Sequence, residues 1–313
     1  MSGKSVAVLG TVCCDKIIRL NEDPKTGLGG IFYNLITLAQ LLDKDDEIIP
    51  VCRIGSINYD EILTEFRKYP NINTGYISKY TGKNNTVVLK YFSQNERTEY
   101  STNLPEPYKI KDLIPFPDAD VLLINFVSGI EMNYNTFRSL KKKLKIPVYV
   151  DLHSIFLGFR AKGERFYKKA GIWDHWKNSG DILQMNEQEA RILSGRHLKD
   201  KNEFVEFGKT LLAKGVETAL ITLGSKGVII CWRTGSRMFH KSISAFTTGD
   251  IKDPTGCGDV FSASFVKAFL NGAGPYESAE FANKVSGVRA TQYSSSELHR
   301  LKNILIEKSI PFP

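Results

Sequence analysis

Along the chain, short apolar runs rich in β-branched residues alternate with stretches whose apolar residues recur every three or four positions. Residues 5–9 predict a buried strand, and residues 30–42 predict a helix with Ile31, Leu35, Leu38, Ala39 and Leu42 on one face. Residues 48–54 return to strand and 59–68 to a short helix. Further on, strands are expected at 121–125, 148–150, 181–184, 219–222 and 228–232. Helices are expected near 133–144, 186–194 and 203–213, with a last helical region over 276–291. This is the rhythm of a parallel sheet covered by helices on both faces.

The pattern changes between residues 74 and 102. Segments 86–92 and 96–101 are short, polar and β-prone, and Thr81-Gly82 and residues 93–95 separate them as turns, so antiparallel hairpins are expected. Residues 16–28 have no helical period and are candidates for further strands of the same element. The expected fold class is therefore α/β: a three-layer, doubly wound, mainly parallel sheet formed by one domain over residues 1–313. A small β lid is drawn from about 16–28 and 74–102.

Composition narrows the function classes. With 313 residues and 42% hydrophobic content, the chain can bury a large core. The apolar stretch at 6–10 is too short for a signal peptide, and runs such as 121–127 fall far below the roughly 20 residues of a membrane span. A cytoplasmic protein with no membrane partner is expected. The five cysteines are odd in number and lack metal-type spacing, which fits reduced thiols. The net charge of +8 raises the question of nucleic acid. Its basic clusters, 141–143 and 168–169, are short and lack interleaved aromatics, so no nucleic-acid partner is expected.

In open α/β sheets ligands bind beyond the carboxyl ends of the strands. That rule selects Asp15, the Gly29-Gly30 pair, Asp151, His153, Asn186, Glu189 and Gly224. It also selects the stretch DPTGCGD at 253–259, which precedes a helix carrying Val260, Phe261, Phe265, Ala268 and Phe269 on one side. Helix-entry amides lack internal partners and bind anions, phosphate above all, and Gly256 and Gly258 would let a ligand approach them. Plain readings stand beside these. Asn186 and Glu189 match a capping box, Asp15 a turn residue, His153 a satisfied core histidine and Asp259 an N-cap. The SGKS at residues 2–5 precedes a strand and lacks the upstream glycine of a Walker A loop, so it is a decoy.

Together these segments resemble the ribokinase-like, or PfkB, carbohydrate kinases. Residues 10–15 resemble the family's first strand-end segment, which ends in a sugar-binding Asp. Residues 29–34 resemble its GG-x-x-x-N signature, 186–189 its N-x-x-E metal motif, and 253–259 its D-T-x-G-x-G-D signature with Pro254 in place of Thr. Residues 222–224 and 95–98 are similar to its nucleotide-side TLG and lid G-E-R-T segments. The resemblance implies ATP-dependent phosphoryl transfer to an alcohol, typically a hydroxymethyl group, of a sugar, sugar acid or nucleoside. It assigns the amides of Gly256, Cys257 and Gly258 to an anion hole and Asp259 to the general base. Asp15, Gly29, Gly30 and Asn34 would bind the acceptor, Asn186 and Glu189 would organise Mg²⁺ through water, and Thr222, Gly224 and Asn283 would lie near the nucleotide. It also makes a homodimer through the lid plausible.

Several positions depart from that pattern. Ile31, Phe32 and Tyr33 stand where small residues are usual and would narrow or reshape the acceptor pocket, and Cys13 stands where an Asn is often found. Residues 290–296 lack the family's clearer monovalent-cation pattern, which leaves K⁺ dependence open. Cys257, at a helix N-terminus, is either a thiol of lowered pKa or a filler of a small slot. Two other functions stay open: a vitamin-type kinase acting on a pyridoxal or pyrimidine alcohol, and a non-catalytic sugar sensor.

Overall fold

The computed structural model describes residues 3–20, 22–92, 97–168, 173–292 and 295–313. The turn expected at 93–95, Asn95 and Glu96 of the lid segment, Lys169 and the first residue of the SGKS decoy lie outside the described residues. The first half of the chain contains β1 (Ser5–Gly10), β2 (Val12–Ile18), β3 (Lys25–Gly30), α1 (Ile31–Leu41), β4 (Glu47–Gly55), α2 (Tyr59–Phe66), β5 (Ile77–Tyr80), β6 (Thr86–Tyr91), β7 (Arg97–Thr102), β8 (Val121–Asn125), α3 (Tyr134–Lys143) and β9 (Val148–Asp151). The second half contains β10 (Leu157–Phe159), β11 (Arg165–Tyr167), β12 (Ile182–Asn186), α4 (Glu187–Ser194), α5 (Lys201–Ala213), β13 (Thr218–Thr222), β14 (Val228–Thr234), β15 (Arg237–Ile243), α6 (Cys257–Leu270), α7 (Pro275–Ala290) and α8 (Leu301–Glu307).

Nine strands form the large sheet in the order β15-β14-β13-β12-β9-β8-β1-β4-β5. The seven strands from β13 to β5 are parallel, and β14 and β15 add antiparallel at one edge. Alternation along β1 shows why the sheet has two covered faces. Val6 and Val8 pack with α1, α6, α7 and α8, whereas Ala7 and Leu9 pack with α3, α4 and α5. The parallel strands all end at one edge, and every strand-end residue selected above lies there or in the segments that follow.

A second sheet has the order β3-β2-β6-β7, with β2 and β6 parallel and the outer pairs antiparallel. Two features of the expected lid are corrected. Residues 77–80 belong to the large sheet, where they pair with β4 in parallel, and of the 74–102 segment the first strand in the small sheet begins at Thr86. A short β10/β11 hairpin, which no sequence period announced, also reaches the small sheet through a bridge between Tyr100 and Glu164. Three-residue strands are too short to carry a period, and β15 is exposed along nearly its whole length, so neither leaves an apolar pattern to read. No helix among the described residues is long and apolar enough to cross a membrane.

Candidate active site

The α6 entrance is built as a sharp turn that ends in open amides. Gly256 is the N-cap, with φ 79° and ψ 1°, and has no side chain to close the first turn. A methyl group there would lie 2.4 Å from Cδ1 of Tyr33, so both backbone conformation and space require glycine. The Cys257 amide donates to Pro254 O at 3.2 Å, while the amides of Gly256 and Gly258 meet no protein acceptor among the described residues. The expected three-amide anion hole therefore narrows to two, because the turn uses the middle N–H itself. The Cys257 thiol faces Ser286 O at 3.6 Å, and burial pushes it up to about 11, against the alternative of a lowered pKa.

Asp259, in the first turn of α6, is only 6% exposed. Its Oδ1 accepts from Asn125 Nδ2 at 2.7 Å. Burial raises its pKa, while charge from His153 and the Asn125 hydrogen bond favour the carboxylate. Asn34 sits behind it, fully buried, with Nδ2 donating to Asp259 O and Ser262 Oγ, both at 2.8 Å, and Oδ1 accepting from Asn125 at 3.0 Å. The side chain assigned by resemblance to acceptor hydroxyls is thus committed to the protein, tying α1 and β8 to the start of α6. Asn125 Oδ1 is buried without a partner among the described residues.

Two more acids approach from the neighbouring strand ends. Asp151 Oδ2 accepts from Gln184 Nε2 at 2.8 Å, and the same nitrogen reaches Gly258 O at 3.1 Å. Asp151 Oδ1 accepts from the His153 amide at 3.2 Å, where the backbone takes a left-handed φ of 34°. Asn186 and Glu189 form the full capping box: Asn186 Oδ1 accepts from Glu189 N at 2.9 Å and Glu189 Oε2 accepts from Asn186 N at 2.7 Å. Burial, with the charge of Asp259, pushes Glu189 up to about 8. Burial, then Glu189 and Asp259, push Asp151 well above the carboxylate range. Three carboxyl groups thus feel one another across the strand ends. Among the described residues no group of three or more His, Cys, Asp or Glu is arranged to hold a metal directly.

Asp15 and Gly29 meet on the paired strands β2 and β3, where Asp15 is opposite Gly27 and Cys13 opposite Gly29. A methyl on Gly29 would lie 1.8 Å from Asp15 Oδ2, so the carboxylate rests on the glycine backbone. Asp15 makes no hydrogen bond or ion pair with any described residue. Burial, then Glu99 and Asp259, push it up to about 7, with Arg97 opposing. Gly30, the N-cap of α1, continues from it. Ile31 and Phe32 are both buried, Phe32 against Phe66. Tyr33 packs at the base of the 253–259 turn. The Cys13 thiol donates to Asn85 Oδ1 at 3.0 Å.

The residues that the resemblance assigns to the nucleotide lie at the β13 end of the sheet. Thr222 ends β13, opposite Asn186 of β12, and Gly224 opens the next turn. Asn283 of α7 donates to Ser244 O at 2.9 Å. The 224–227 turn abuts the same segment, since a methyl on Gly227 would lie 1.9 Å from Ile243 O. Both therefore border residues 243–245. Sequence reasoning missed Asn125, Gln184 and Arg289. The strand-end rule applies to Asn125, the one polar residue closing the apolar run 121–124.

A model of the pfkB family carbohydrate kinases matches residues 15–300. The chain belongs to that family. A ribokinase from Haemophilus influenzae is 35% identical over 112 residues, a match covering 36% of this chain and 35% of the relative. The fructosamine kinase FrlD of Bacillus subtilis is 23% identical over 256 residues, 82% of this chain and 81% of the relative. The ribokinase of Thermotoga maritima superimposes with a TM-score of 0.74 at 18% identity over 97% of this chain and 99% of that one, which shows the fold.

Proposed function

We propose that this pfkB-family chain transfers the γ-phosphoryl group of ATP to an alcohol, most often a hydroxymethyl group, of a sugar, sugar acid or nucleoside. One observation carries the reading: a buried carboxylate, Asp259, held by Asn125 beside two helix-entry amides that have no protein acceptor among the described residues. The acceptor oxygen attacks the γ-phosphorus, the bond to ADP breaks, and the hydroxyl proton passes to Asp259. Phosphoryl transfer has a loose transition state, so positioning and charge neutralisation supply most of the catalysis. In this scheme the amides of Gly256 and Gly258 take the negative oxygens of the moving group.

Asp15, with no hydrogen-bond or ion-pair partner among the described residues, binds acceptor hydroxyls over Gly29 and Gly30, and Asn34 acts as a positioning residue behind Asp259. Thr222, Gly224 and Asn283 border the nucleotide. Asn186 and Glu189 fit a Mg²⁺ reached through water: Mg²⁺ keeps much of its hydration and needs few carboxylates, and Glu189, raised to about 8, is a carboxyl group that a divalent cation would hold ionised. When bound, the ion neutralises charge on the phosphates. The small sheet covers the acceptor and limits loss of ATP to water, and pairing of two subunits through it belongs to the same reading.

An ADP-release screen tests the proposal with ribose, fructose, fructosamine, sugar acids and nucleosides beside pyridoxal and pyrimidine alcohols. Turnover with a member of the first group is expected. Turnover confined to the vitamin alcohols, or none with any acceptor, overturns it.

A further inference from the structure

Arg289, in α7, is wholly buried beneath the turn that leads into α6. Its Nη1 donates to Asp253 O and to Gln292 O, both at 3.2 Å, and its Nη2 lies 3.4 Å from Asp253 Oδ2. The guanidinium also sits over the Tyr33 ring, 5.4 Å from its centroid, and Tyr33 is the residue that packs against Gly256. The two backbone segments around it are clasped together, since the amides of Lys252 and Asp253 both donate to Ala290 O. The other carboxylate oxygen of Asp253 accepts from Thr255 N at 3.1 Å and Thr255 Oγ1 at 2.7 Å, and pairs with Arg19 at 3.0 Å.

Two carbonyls and a carboxylate from separate segments thus converge on one buried positive charge. Such a cage would repel itself if it were empty, and a buried cation is tolerated only where oxygens such as these pair it. In a protein that recruits a monovalent ion, the same oxygens would be its ligands. Here the centre is taken by a covalently attached guanidinium, which cannot lose its charge or exchange with solvent. It bonds to the first residue of the 253–259 turn and, through Tyr33, fixes the backbone at Gly256.

We propose that Arg289 is an internal cation that holds the anion-binding turn in its working shape and makes phosphoryl transfer by this chain independent of added monovalent cations. The proposal rests on the kinase reading above. It also accounts for the departure of residues 290–296 from a cation-site pattern: with the guanidinium in place, an ion has no room.

The test uses the intact protein in buffers of equal ionic strength containing KCl, NaCl or choline chloride. Wild-type kcat/KM is expected to agree across the three within about twofold, and Tm to be insensitive to which cation is present. An activation of about tenfold or more by K⁺ overturns the proposal. Absence of turnover in all three with every acceptor instead defeats the kinase reading. Arg289→Gln, checked for folding by its melting curve, is expected to lose about a hundredfold in kcat with little change in KM for the acceptor. Its Tm and kcat are both expected to rise in KCl or guanidinium chloride at low concentration, relative to choline. A folded Arg289→Gln with wild-type kcat in choline also overturns the proposal. If that variant does not fold, the wild-type cation series decides the matter alone.

Discussion

Two helices begin at the same edge of the sheet and finish their first turns in opposite ways. At the start of α4, Asn186 and Glu189 each accept the other's backbone N–H, so the helix end is capped in part by its own side chains. At the start of α6, the N-cap is a glycine with no side chain, and the amides of Gly256 and Gly258 are left without protein acceptors among the described residues. A helix end that carries a side-chain cap has fewer free donors, whereas one with a bare glycine cap keeps more of them, and its dipole, for a ligand. In the proposed reading, the contrast favours α6 as the place of the anion. It leaves α4 a supporting role, through a carboxylate that is already hydrogen-bonded.

The largest effect expected from this contrast is at Asp259. Asp259→Asn keeps the shape and removes the base, so kcat is expected to fall by about a thousandfold while ATP still binds. Because burial raises the pKa of Asp259, the neutral amide should cost no stability, and Tm should equal or exceed that of the wild type. A variant that retained a near wild-type rate would remove Asp259 from the role of base. In the wild type, the same burial predicts that kcat/KM falls toward acid pH at a higher pH than an ordinary carboxylate would give.

Next in size is the difference between the two glycines. Gly256→Ala meets a positive φ and the Tyr33 ring at 2.4 Å, so it is expected to lower kcat by about a hundredfold and to destabilise the protein by about 1–3 kcal/mol. Gly258→Ala has ordinary contact, with Gln184 Nε2 at 3.7 Å, and lies inside the helix. Its Tm should hold or rise slightly, with a kcat loss of about tenfold from the methyl group crowding the anion. Equal Tm losses in the two variants would mean that the turn is not specified at Gly256.

Much of the fold was legible because apolar period and strand-end position are local properties. Strands such as 121–125 and helices such as 133–144 carry their own signal, and the capping box at Asn186 follows from spacing alone. The site was legible only as far as the backbone makes it. The glycines and acids of 253–259 are contiguous, but Asn34, Asn125 and Asp259 meet from three separated segments. No spacing announces that the amide of Asn34 is used up by the protein. Cys257 shows the same limit, since the carbonyl of Pro254 that takes its amide and the burial that raises its thiol are both tertiary facts. Arg289 reads in sequence as one more charge on a helix, and only the fold closes the oxygens of Asp253 and Gln292 around it.

The smallest effects are expected at α4, and they test whether its closed end is structure alone. Asn186→Ala removes one half of the capping box and is expected to cost about 1 kcal/mol, read as a Tm lower by about 3 °C. The pH dependence carries the sharper test. Glu189 is raised from 4.5 to about 8 in the folded chain, so between those values the folded state binds more protons than the unfolded. Its contribution to stability is therefore complete below the ordinary carboxylate range and is lost as pH rises toward 8. Tm is expected to fall over that window, and Glu189→Gln to flatten part of the fall, because the amide has no proton to lose. Added Mg²⁺ should restore Tm near pH 8 in the wild type and not in Glu189→Gln. If Mg²⁺ raised both equally, the carboxylate would belong to the helix cap alone and the ion would have to be placed elsewhere.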